Sequence, residues 1–587
     1  MQGGSFCMGV LRTAMSVRKK PFAKSPAKRL AVCPKAFSLR RVKSVFVSIL
    51  VFCFWAVLAF VVRCHNFRDV IIDSRIYFID GDCYSRMTRA ALIDSGAVRI
   101  VHHQDFENYP HGTNSHATAP MDYCIVALKM TLNGLLHALE PTQSSKLEGQ
   151  MLDLAGALIS PILGALSCGF LAVFARGLQV PWAARWSLPF FWAVSSIAVH
   201  GMVMGRPDHQ SLQMALLAVA LAAETRLAGL YGSKQNEPPD SDTRVVERRW
   251  AVAGGISWGL ALWVSLYEPT VLLALVVALW AIFRPRALIA RERVSGWVAL
   301  FAVLIVALLI EGWPVELPQP EMRKFLVNWS GTIGELQHTT PFKPLVYGWF
   351  GCLFALALPL LGVAFWREKM RVALPIGLLL AAVVGLTCWQ VRWGYFLALI
   401  FALSAPWQLA ALRKGWLIAL SLVVSLWPMV REWKGWLPSD QAARDQVHLE
   451  LSQLRDAAEK LRSVNPTPFL APWWMSPSIT YWSGQPGLAG TSHEAISGTV
   501  EATRFYLAEN PGAAAEFLRA RGLTRVFADD PARIIHNSAL ILGVDEPATC
   551  MATILNDHPT NPAPYLIPVV ANTYYHVYAV DPRKLNP

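Results

Sequence analysis

The segment VFVSILVFCFWAVLAFVV, at positions 45–62, contains no charged residue, and further apolar runs follow it along the chain. About 20 apolar residues are needed for a helix to cross a bilayer, and this segment approaches that length. The chain has 587 residues, of which only 16% are charged, whereas about a quarter are charged in a typical soluble domain. The sequence therefore predicts a polytopic α-helical membrane protein.

Basic residues are concentrated before this first apolar run, and they supply much of the formal net charge of +13. Such residues mark the cytoplasmic side of a membrane protein, which argues against a nucleic-acid partner. We interpret 1–43 as a basic cytoplasmic N-terminal segment, followed by an uncleaved anchor. The alternative, a signal peptide, would need a shorter run and a clear small-residue cleavage site. The ten cysteines form no C-x-x-C pair and indicate neither a zinc site nor a disulfide framework.

Charged loops alternate between the later apolar runs. The loops predicted to be cytoplasmic carry the arginines and lysines expected of that side, at 174–185, 233–249, 284–293, 367–371 and 413–414. This alternation predicts about 11–13 transmembrane helices within 44–430 and two large external loops, 64–153 and 314–344. The moderately apolar segment 121–139 is placed in the first of these loops, as a surface or re-entrant helix.

From position 431 the composition becomes that of a soluble domain. The segment 439–468 is predicted to be an amphipathic helix with Ser439 or Asp440 as its N-cap. The stretches GLTRVFADD (522–530) and YHVYAVD (575–581) are typical of strands. We therefore expect 431–587 to form an extracytoplasmic domain of mixed α/β structure.

Acidic residues map to the external ends of the predicted spans, namely Asp80, Asp82, Asp208, Glu268 and Glu335. Carboxylates that converge from separate loops are what a hard divalent cation such as Mg²⁺ or Mn²⁺ requires. Taken singly, each is more simply explained as a solvated loop acid. Asp208 is harder to explain in that way, because it lies between two apolar runs, where charge is costly.

Several short motifs occur in a characteristic order: DCYSRMTR (82–89), NYPHGTNSHATAPMDY (108–123), GRPDHQSL (205–212), TIGE (332–335) and VRWGYFLAL (391–399). Together they resemble the motifs of the catalytic subunit of oligosaccharyltransferase and of its single-chain bacterial and archaeal counterparts, which are GT-C membrane glycosyltransferases. The resemblance covers roughly 45–490. One departure is Gln210, which stands where the family has the second acid of its Asp-x-Asp/Glu motif.

The resemblance implies a metal-dependent glycosyltransferase of the inner membrane. Such an enzyme transfers a glycan from a polyprenyl-(pyro)phosphate donor to an extracytoplasmic acceptor, which could be a protein, a lipid or a glycan. It implies that Asp82, Asp208 and Glu335 are catalytic and hold Mg²⁺ or Mn²⁺. Arg392 is the expected phosphate contact, the alternative being interfacial snorkelling. His209 is either a further substrate or metal contact or a structural histidine.

The family marks its acceptor-sequon pocket with W-W-D, and this chain has APWWMSPSITYWSGQPG at 471–487. Trp473 and Trp474 match and are candidate substrate-binding residues, unless the pair is simply core. Met475 replaces the acid, and a methionine cannot accept a hydrogen bond from a Ser or Thr hydroxyl as a carboxylate does. This replacement argues against recognition of an Asn-x-Ser/Thr peptide, and the acceptor stays open among protein asparagine, a protein hydroxyl, a lipid and a glycan.

A non-catalytic transporter or flippase is the alternative class. Such a protein places paired charges and broken helices near the membrane midplane. Here the acids lie at the outer ends of the spans, which favours an enzyme that acts at the membrane surface.

Overall fold

The computed structural model of the protein describes residues 34–139, 148–233, 241–313, 320–436, 441–463 and 465–585. Most of the predicted N-terminal segment, the start of the loop 314–344 and the proposed caps Ser439 and Asp440 lie outside these residues. From Leu50 onward the described chain packs into one compact unit. The boundary predicted at 430/431 stays a prediction.

Helices dominate the structure. In chain order they are α1 (Pro34–Arg63), α2 (Phe67–Val70), α3 (Gly81–Asp94), α4 (Pro120–Leu139), α5 (Met151–Arg176), α6 (Trp182–Arg185), α7 (Ser187–Val194), α8 (Ser196–His200), α9 (His209–Ser233), α10 (Ser241–Val264), α11 (Tyr267–Phe283), α12 (Pro285–Leu288) and α13 (Arg291–Glu311). They continue with α14 (Arg323–Ser330), α15 (Pro344–Phe350), α16 (Leu353–Trp366), α17 (Ala373–Trp389), α18 (Gly394–Ala410), α19 (Gly415–Trp436), α20 (Gln441–Glu459), α21 (Ser476–Ser483), α22 (Ile496–Tyr506), α23 (Pro511–Arg521), α24 (Pro531–Leu542) and α25 (Met551–Asp557).

Length and composition identify the membrane helices. Within the described residues six helices are long and apolar enough to cross a membrane, and they lie in α1, α5, α9, α13, α18 and α19. The bent pair α15–α16 makes a seventh if counted as one span, and α11 and α17 are shorter apolar helices. The two remaining predicted crossings correspond to the short helices α6–α8 and to α10, whose first turns are charged. The predicted polytopic helical membrane fold is confirmed.

One predicted span, 345–366, is broken rather than continuous. Its two halves, α15 and α16, are bent by 64°. The break falls at Gly351, whose φ of +73° favours glycine, and a Cβ there would lie 2.2 Å from the Ser425 carbonyl oxygen. The backbone N–H of Leu353, at the start of α16, donates to the Ser425 hydroxyl at 3.1 Å. Close contact with α19 therefore fixes the bend.

Helix α18 forms the centre of the membrane part. All of its residues are buried in the protein, whereas only 6% of the first span is buried. Elsewhere the backbones of α10 and α13 are in direct contact. A Cβ added to Gly255 would lie only 2.0 Å from the Gly296 carbonyl oxygen. The core is thus built by helices that surround α18, whereas within Lys43–Arg63 only Ala59 and Arg63 are buried.

The C-terminal region contains a four-stranded sheet in the order β5–β6–β8–β7, after the two short hairpins β1–β2 and β3–β4 of the first loop. The strands are β1 (Ile71–Ile72), β2 (Arg75–Ile76), β3 (His103–Gln104), β4 (Thr113–Asn114), β5 (Phe469–Leu470), β6 (Arg525–Ala528), β7 (Leu566–Ala571) and β8 (His576–Val580). Strands β5 and β6 are parallel, and the other pairs of the sheet are antiparallel. Both predicted strand stretches are confirmed as β6 and β8. The predicted helix 439–468 was too long, since α20 ends at Glu459, before Pro466.

The first large loop, which is predicted to be external, packs directly on the C-terminal region. The backbone N–H of Gly487 donates to the Phe106 carbonyl at 3.0 Å. Beside this contact Glu107 is 3% exposed and accepts a hydrogen bond from the Ser492 hydroxyl at 2.7 Å. Burial raises the pKa of Glu107 to about 7, although the hydrogen bond from Ser492 opposes the shift.

Substitution at Gly255 tests the α10–α13 contact. We expect Gly255→Ala to destabilise the protein by about 1–3 kcal/mol, because the added methyl group collides with backbone that cannot move aside easily. The matched control is Gly385→Ala in α17, where a Cβ meets no atom within 4 Å and alanine improves helix propensity. The melting temperature of each purified variant in detergent measures its stability. A decrease for Gly385→Ala as large as that for Gly255→Ala would contradict the close α10–α13 contact.

Glu107 gives the stability of the protein a defined pH dependence. Its pKa is about 7 in the folded protein, against an ordinary value of 4.5. Between these pH values the unfolded chain releases the proton and the folded protein keeps it, so the free energy of unfolding falls as pH rises and stays lower above pH 7. We expect Glu107→Gln to increase the free energy of unfolding at pH 8 by about 1–3 kcal/mol, which would appear as a higher melting temperature. Near pH 4.5 the same substitution should change the free energy of unfolding little. The control is Asp105→Asn, at a side chain that is 94% exposed. Its effect on stability should be the same at pH 8 and at pH 4.5.

Candidate active site

A cavity of about 1000 Å³ collects residues from the first loop, the start of α9, the loop before α15, the start of α18 and the C-terminal region. Its lining includes the predicted site residues Asp82, Asp208, His209, Glu335, Arg392 and Trp473. Residues that are hundreds of positions apart in sequence therefore meet in one place, as the motif order predicted.

The first loop brings a pair of carboxylates to the start of α3. Asp80 is the N-cap and accepts a hydrogen bond from the backbone N–H of Cys83 at 3.0 Å. Asp82, in the first turn, opens into the cavity and interacts with the Thr491 hydroxyl. The surrounding protein, followed by the carboxylates of Asp80 and Asp208, raises the pKa of Asp82 to about 7. Negative charge is thus concentrated at this wall of the cavity.

A buried arginine holds the second wall together. The Arg206 Nη2 atom lies 2.6 Å from Glu335 Oε1 and 3.8 Å from Asp80 Oδ2. The Tyr395 hydroxyl donates to the same Glu335 oxygen at 2.7 Å. Burial alone would raise the pKa of Glu335, but Arg206 and Tyr395 hold it below its ordinary value. The ionised carboxylate of Glu335 is therefore held in a fixed position.

Asp208 lies immediately before α9 and is buried. The Nδ1 atom of the adjacent His209 lies 2.6 Å from Asp208 Oδ1. Burial opposes ionisation, but His209 and then Arg206 outweigh it and hold the pKa of Asp208 well below its ordinary value. His209 therefore contacts a site carboxylate, and it also lines the cavity.

Arg392 lies in a short turn, Val391–Trp393, directly before α18. Its Nη2 atom is 2.5 Å from Glu268 Oε1, and the Glu268 side chain is 1% exposed. Glu268 Oε2 also accepts hydrogen bonds from Gln213 Nε2 at 3.3 Å and from the Ser265 hydroxyl at 3.2 Å. Sequence reasoning gave Glu268 no clear role, and the structure shows that it orients Arg392.

Sequence reasoning missed a cluster formed by His116, His493 and Glu494. Glu494 Oε1 is 2.8 Å from His116 Nδ1 and 3.2 Å from His493 Nε2, and both histidines line the cavity. Burial, and then the proximity of His116, lowers the pKa of His493. His116 comes from the first loop and the adjacent His493 and Glu494 from the C-terminal region, and no spacing in the sequence links His116 to the other two.

Possible metal ligands are spaced differently in the histidine–glutamate cluster and in the three predicted acids. Among the described residues, the set of three side chains whose ligand atoms all lie within 4.8 Å of one another is His116, His493 and Glu494. Asp82, Asp208 and Glu335 instead surround the cavity at wider spacing, and the Glu335 carboxylate is bonded to Arg206. The three predicted acids share one cavity but do not converge on a single point in this structure.

The tryptophan pair divides between two environments. Trp473 lines the cavity and packs against Trp329, with ring centroids 5.5 Å apart. Trp474 does not line it, and the Arg533 guanidinium lies 4.8 Å from its ring centroid. Met475 is 4% exposed and belongs to a hydrophobic cluster of the core. The residue at position 475 is therefore a packing residue here and faces neither the cavity nor solvent.

The loop that carries Glu335 is anchored at two points. Asn328, in α14, donates from Nδ2 to the Ile541 carbonyl of the C-terminal region at 3.1 Å. Further on, the Gln337 carbonyl accepts a hydrogen bond from the backbone N–H of Val391 at 3.0 Å. Because Val391 opens the turn that holds Arg392, the two motifs are joined through their backbones.

No family model and no curated protein matches the sequence. Solved structures do match. The Archaeoglobus fulgidus oligosaccharyltransferase in complex with Zn and sulfate gives a TM-score of 0.62 at 13% identity, over 84% of this chain and 70% of that chain. The same enzyme tethered with an acceptor peptide containing the NVT sequon gives 0.58 at 15% identity, over 85% and 71%. Apo ArnT from Cupriavidus metallidurans gives 0.50 at 13% identity, over 94% and 99%.

Similarity at these identities concerns the fold, and it extends over most of the chain. The chain therefore has the oligosaccharyltransferase-like fold of the GT-C membrane glycosyltransferases.

Proposed function

We propose that this protein is a glycosyltransferase that transfers a saccharide from a polyprenyl-(pyro)phosphate donor to an acceptor at the extracytoplasmic face of the inner membrane. One observation carries the proposal: Asp82, Asp208, Glu335 and Arg392 line a single cavity at the ends of membrane helices. Such a cavity can receive a phosphate-linked headgroup while the attached lipid chain stays in the bilayer.

The fold similarity supports a lipid-linked donor. The Archaeoglobus fulgidus oligosaccharyltransferase has been solved with an inhibitory peptide and a dolichol-phosphate, and it matches this chain with a TM-score of 0.59. In the present protein Arg392 is the group suited to a phosphate, because a planar guanidinium binds two phosphate oxygens at once. Glu268 holds that guanidinium at the cavity before substrate arrives.

The chemistry of the three acids suits a hard divalent cation, although their spacing in this structure would have to shorten before all three could bind one ion. Asp82 has no basic partner among the described ion pairs, whereas Asp208, Glu268 and Glu335 each have one. An acid that is surrounded by other carboxylates and has a raised pKa gains from a nearby cation. Asp82, Asp208 and Glu335 would hold Mg²⁺ or Mn²⁺, which would offset the negative charge that develops on the phosphate leaving group.

The other residues of the cavity position these groups. Arg206 and Tyr395 fix the Glu335 carboxylate, and His209 bonds Asp208. Met475 lies in the core, so the position that reads the sequon hydroxyl in the family presents no acceptor atom to the cavity. We therefore infer an acceptor other than an Asn-x-Ser/Thr peptide, with a protein hydroxyl, a lipid or a glycan as candidates.

Substitution of the acids tests the proposal. We expect Asp208→Asn to lower the rate of transfer from a polyprenyl-pyrophosphate-linked saccharide by about 10²–10³-fold, since it removes charge that binds the cation. EDTA should abolish transfer and Mn²⁺ should restore it. Mass spectrometry of the products measures the rate, and isothermal titration with Mn²⁺ measures binding directly.

The control for this experiment is Asp456→Asn, at a surface acid that is 58% exposed and paired with Arg75. It should leave transfer and Mn²⁺ binding unchanged. Full activity of Asp208→Asn would overturn the site. Movement of the intact lipid-linked saccharide across the membrane without any transfer product would instead identify a flippase.

Peptide acceptors test the inference drawn from Met475. A site built to bind a hydroxyl rejects a substrate lacking it by about 10⁴-fold or more, and an apolar site discriminates far less. We expect a peptide with Asn-x-Thr to be no better an acceptor than the same peptide with Asn-x-Ala, measured with purified protein and the lipid-linked donor. A preference of 100-fold or more for the threonine peptide would contradict this inference and restore sequon recognition.

A further inference from the structure

A second cavity, of about 400 Å³, lies among α9, α11, α16, α17 and α18. It is formed by the opposite ends of the helices that lead to the active-site cavity. Helix α11, for example, begins beside Glu268 and reaches the second cavity at Trp280 and Arg284. At 1.5 Å per residue, Glu268 and Arg284 are about 24 Å apart along the helix. The second cavity is therefore at the other membrane face, the side predicted to be cytoplasmic.

The walls of this cavity are apolar. All of its lining residues are apolar except Glu224, Thr225, Arg284 and Arg371. The apolar surface comes from side chains such as Leu279, Phe365 and Ile400. A volume of this size falls within the range of ligand-binding cavities, and these walls are suited to a hydrocarbon chain.

Glu224 is already neutralised within the protein. Arg293 Nη2 lies 2.8 Å from Glu224 Oε1, and Trp280 Nε1 donates to Oε2 at 2.8 Å. Trp258 Nε1 donates to Oε1 at 3.3 Å. Since both of its oxygens have donors, Glu224 is already engaged and is not the partner of Arg284.

Arg284 is the unsatisfied group of the cavity. Its Nη1 atom is buried and has no hydrogen-bond partner in the described part of the chain. Arg284 and Arg371 line the same cavity. Burial, and then repulsion from the Arg371 cation, lowers the pKa of Arg284. An anion between them would relieve this repulsion and accept the free hydrogen bond.

We propose that this second cavity is a binding site for an anionic glycerophospholipid, with its phosphate between Arg284 and Arg371 and an acyl chain along the apolar walls. The leaflet predicted to face it is the one in which anionic phospholipids and basic residues attract each other. The polyprenyl donor is assigned to the opposite face, so the two lipid sites serve different ligands. This inference does not depend on the proposed transferase activity.

Native mass spectrometry of the purified full-length protein tests the proposal, with phosphatidylglycerol as the probe. We expect the wild type to retain phosphatidylglycerol, and the double variant Arg284→Gln, Arg371→Gln to bind it at least tenfold more weakly. Arg286→Gln is the matched control, since Arg286 is an exposed neighbour outside the cavity. Equal losses in the control and the double variant would overturn the site, because they would show general surface attraction.

Two further binding measurements test which class of lipid occupies the cavity. Phosphatidylcholine should bind at least tenfold more weakly than phosphatidylglycerol, and equal binding would overturn the role of the arginines in selecting an anion. Undecaprenyl phosphate should not displace phosphatidylglycerol, and preferential binding of the polyprenyl lipid would overturn the assignment to a glycerophospholipid.

A variant that fills the cavity tests the proposal even if the arginine variants fail to fold. Ala228 lines the cavity, so Ala228→Phe should reduce lipid retention without any change in charge. The melting temperature in lipid-free detergent is expected to be unchanged in this variant, whereas the increase that phosphatidylglycerol gives to the wild type should be lost. Full retention of lipid by Ala228→Phe would overturn the proposal.

Discussion

The requirement that a buried cation be paired organises the active-site cavity. Arg206 is 5% exposed, and leaving such a guanidinium without a partner would cost several kcal/mol. Its bond to Glu335 ties the loop before α15 to the loop before α9. Tyr395 adds the start of α18 to the same contact. The distant segments that supply the site are therefore brought together by one electrostatic demand.

Pairing also shapes how substrate would bind. Glu335, Glu268 and Asp208 each face a basic side chain in this structure. An incoming phosphate must therefore share Arg392 with Glu268 rather than meet an unoccupied cation. Such an exchange of partners limits the net gain in free energy, because desolvation and the existing bond must be offset. It also favours release of the charged product after transfer.

The sequence was sufficient to predict a polytopic helical membrane fold, and all of the predicted site residues except Trp474 line the cavity. Apolar runs mark candidate spans directly, and Asp82, Asp208 and Glu335 stand out because they fall in motifs that resemble those of the family. The bend at Gly351 was missed because it arises from contact with α19, which is distant in sequence. The pairing of Glu268 with Arg392 was missed for the same reason, and so was the histidine–glutamate cluster. Trp474 matched its motif but packs under Arg533, since a motif fixes residue type and not the direction of a side chain.

Helix α18 has a consequence for how the protein is made. Because none of its residues is exposed, lipid never solvates it in the finished molecule. Its polar side chains bond to one another inside the helix, as where the Gln408 Nε2 atom donates to the Ser404 hydroxyl at 2.7 Å. A segment of this kind gains most of its stability from neighbouring helices and not from partitioning into the bilayer. Its retention during biosynthesis must therefore depend on helices inserted earlier, which makes the order of translation part of the assembly mechanism.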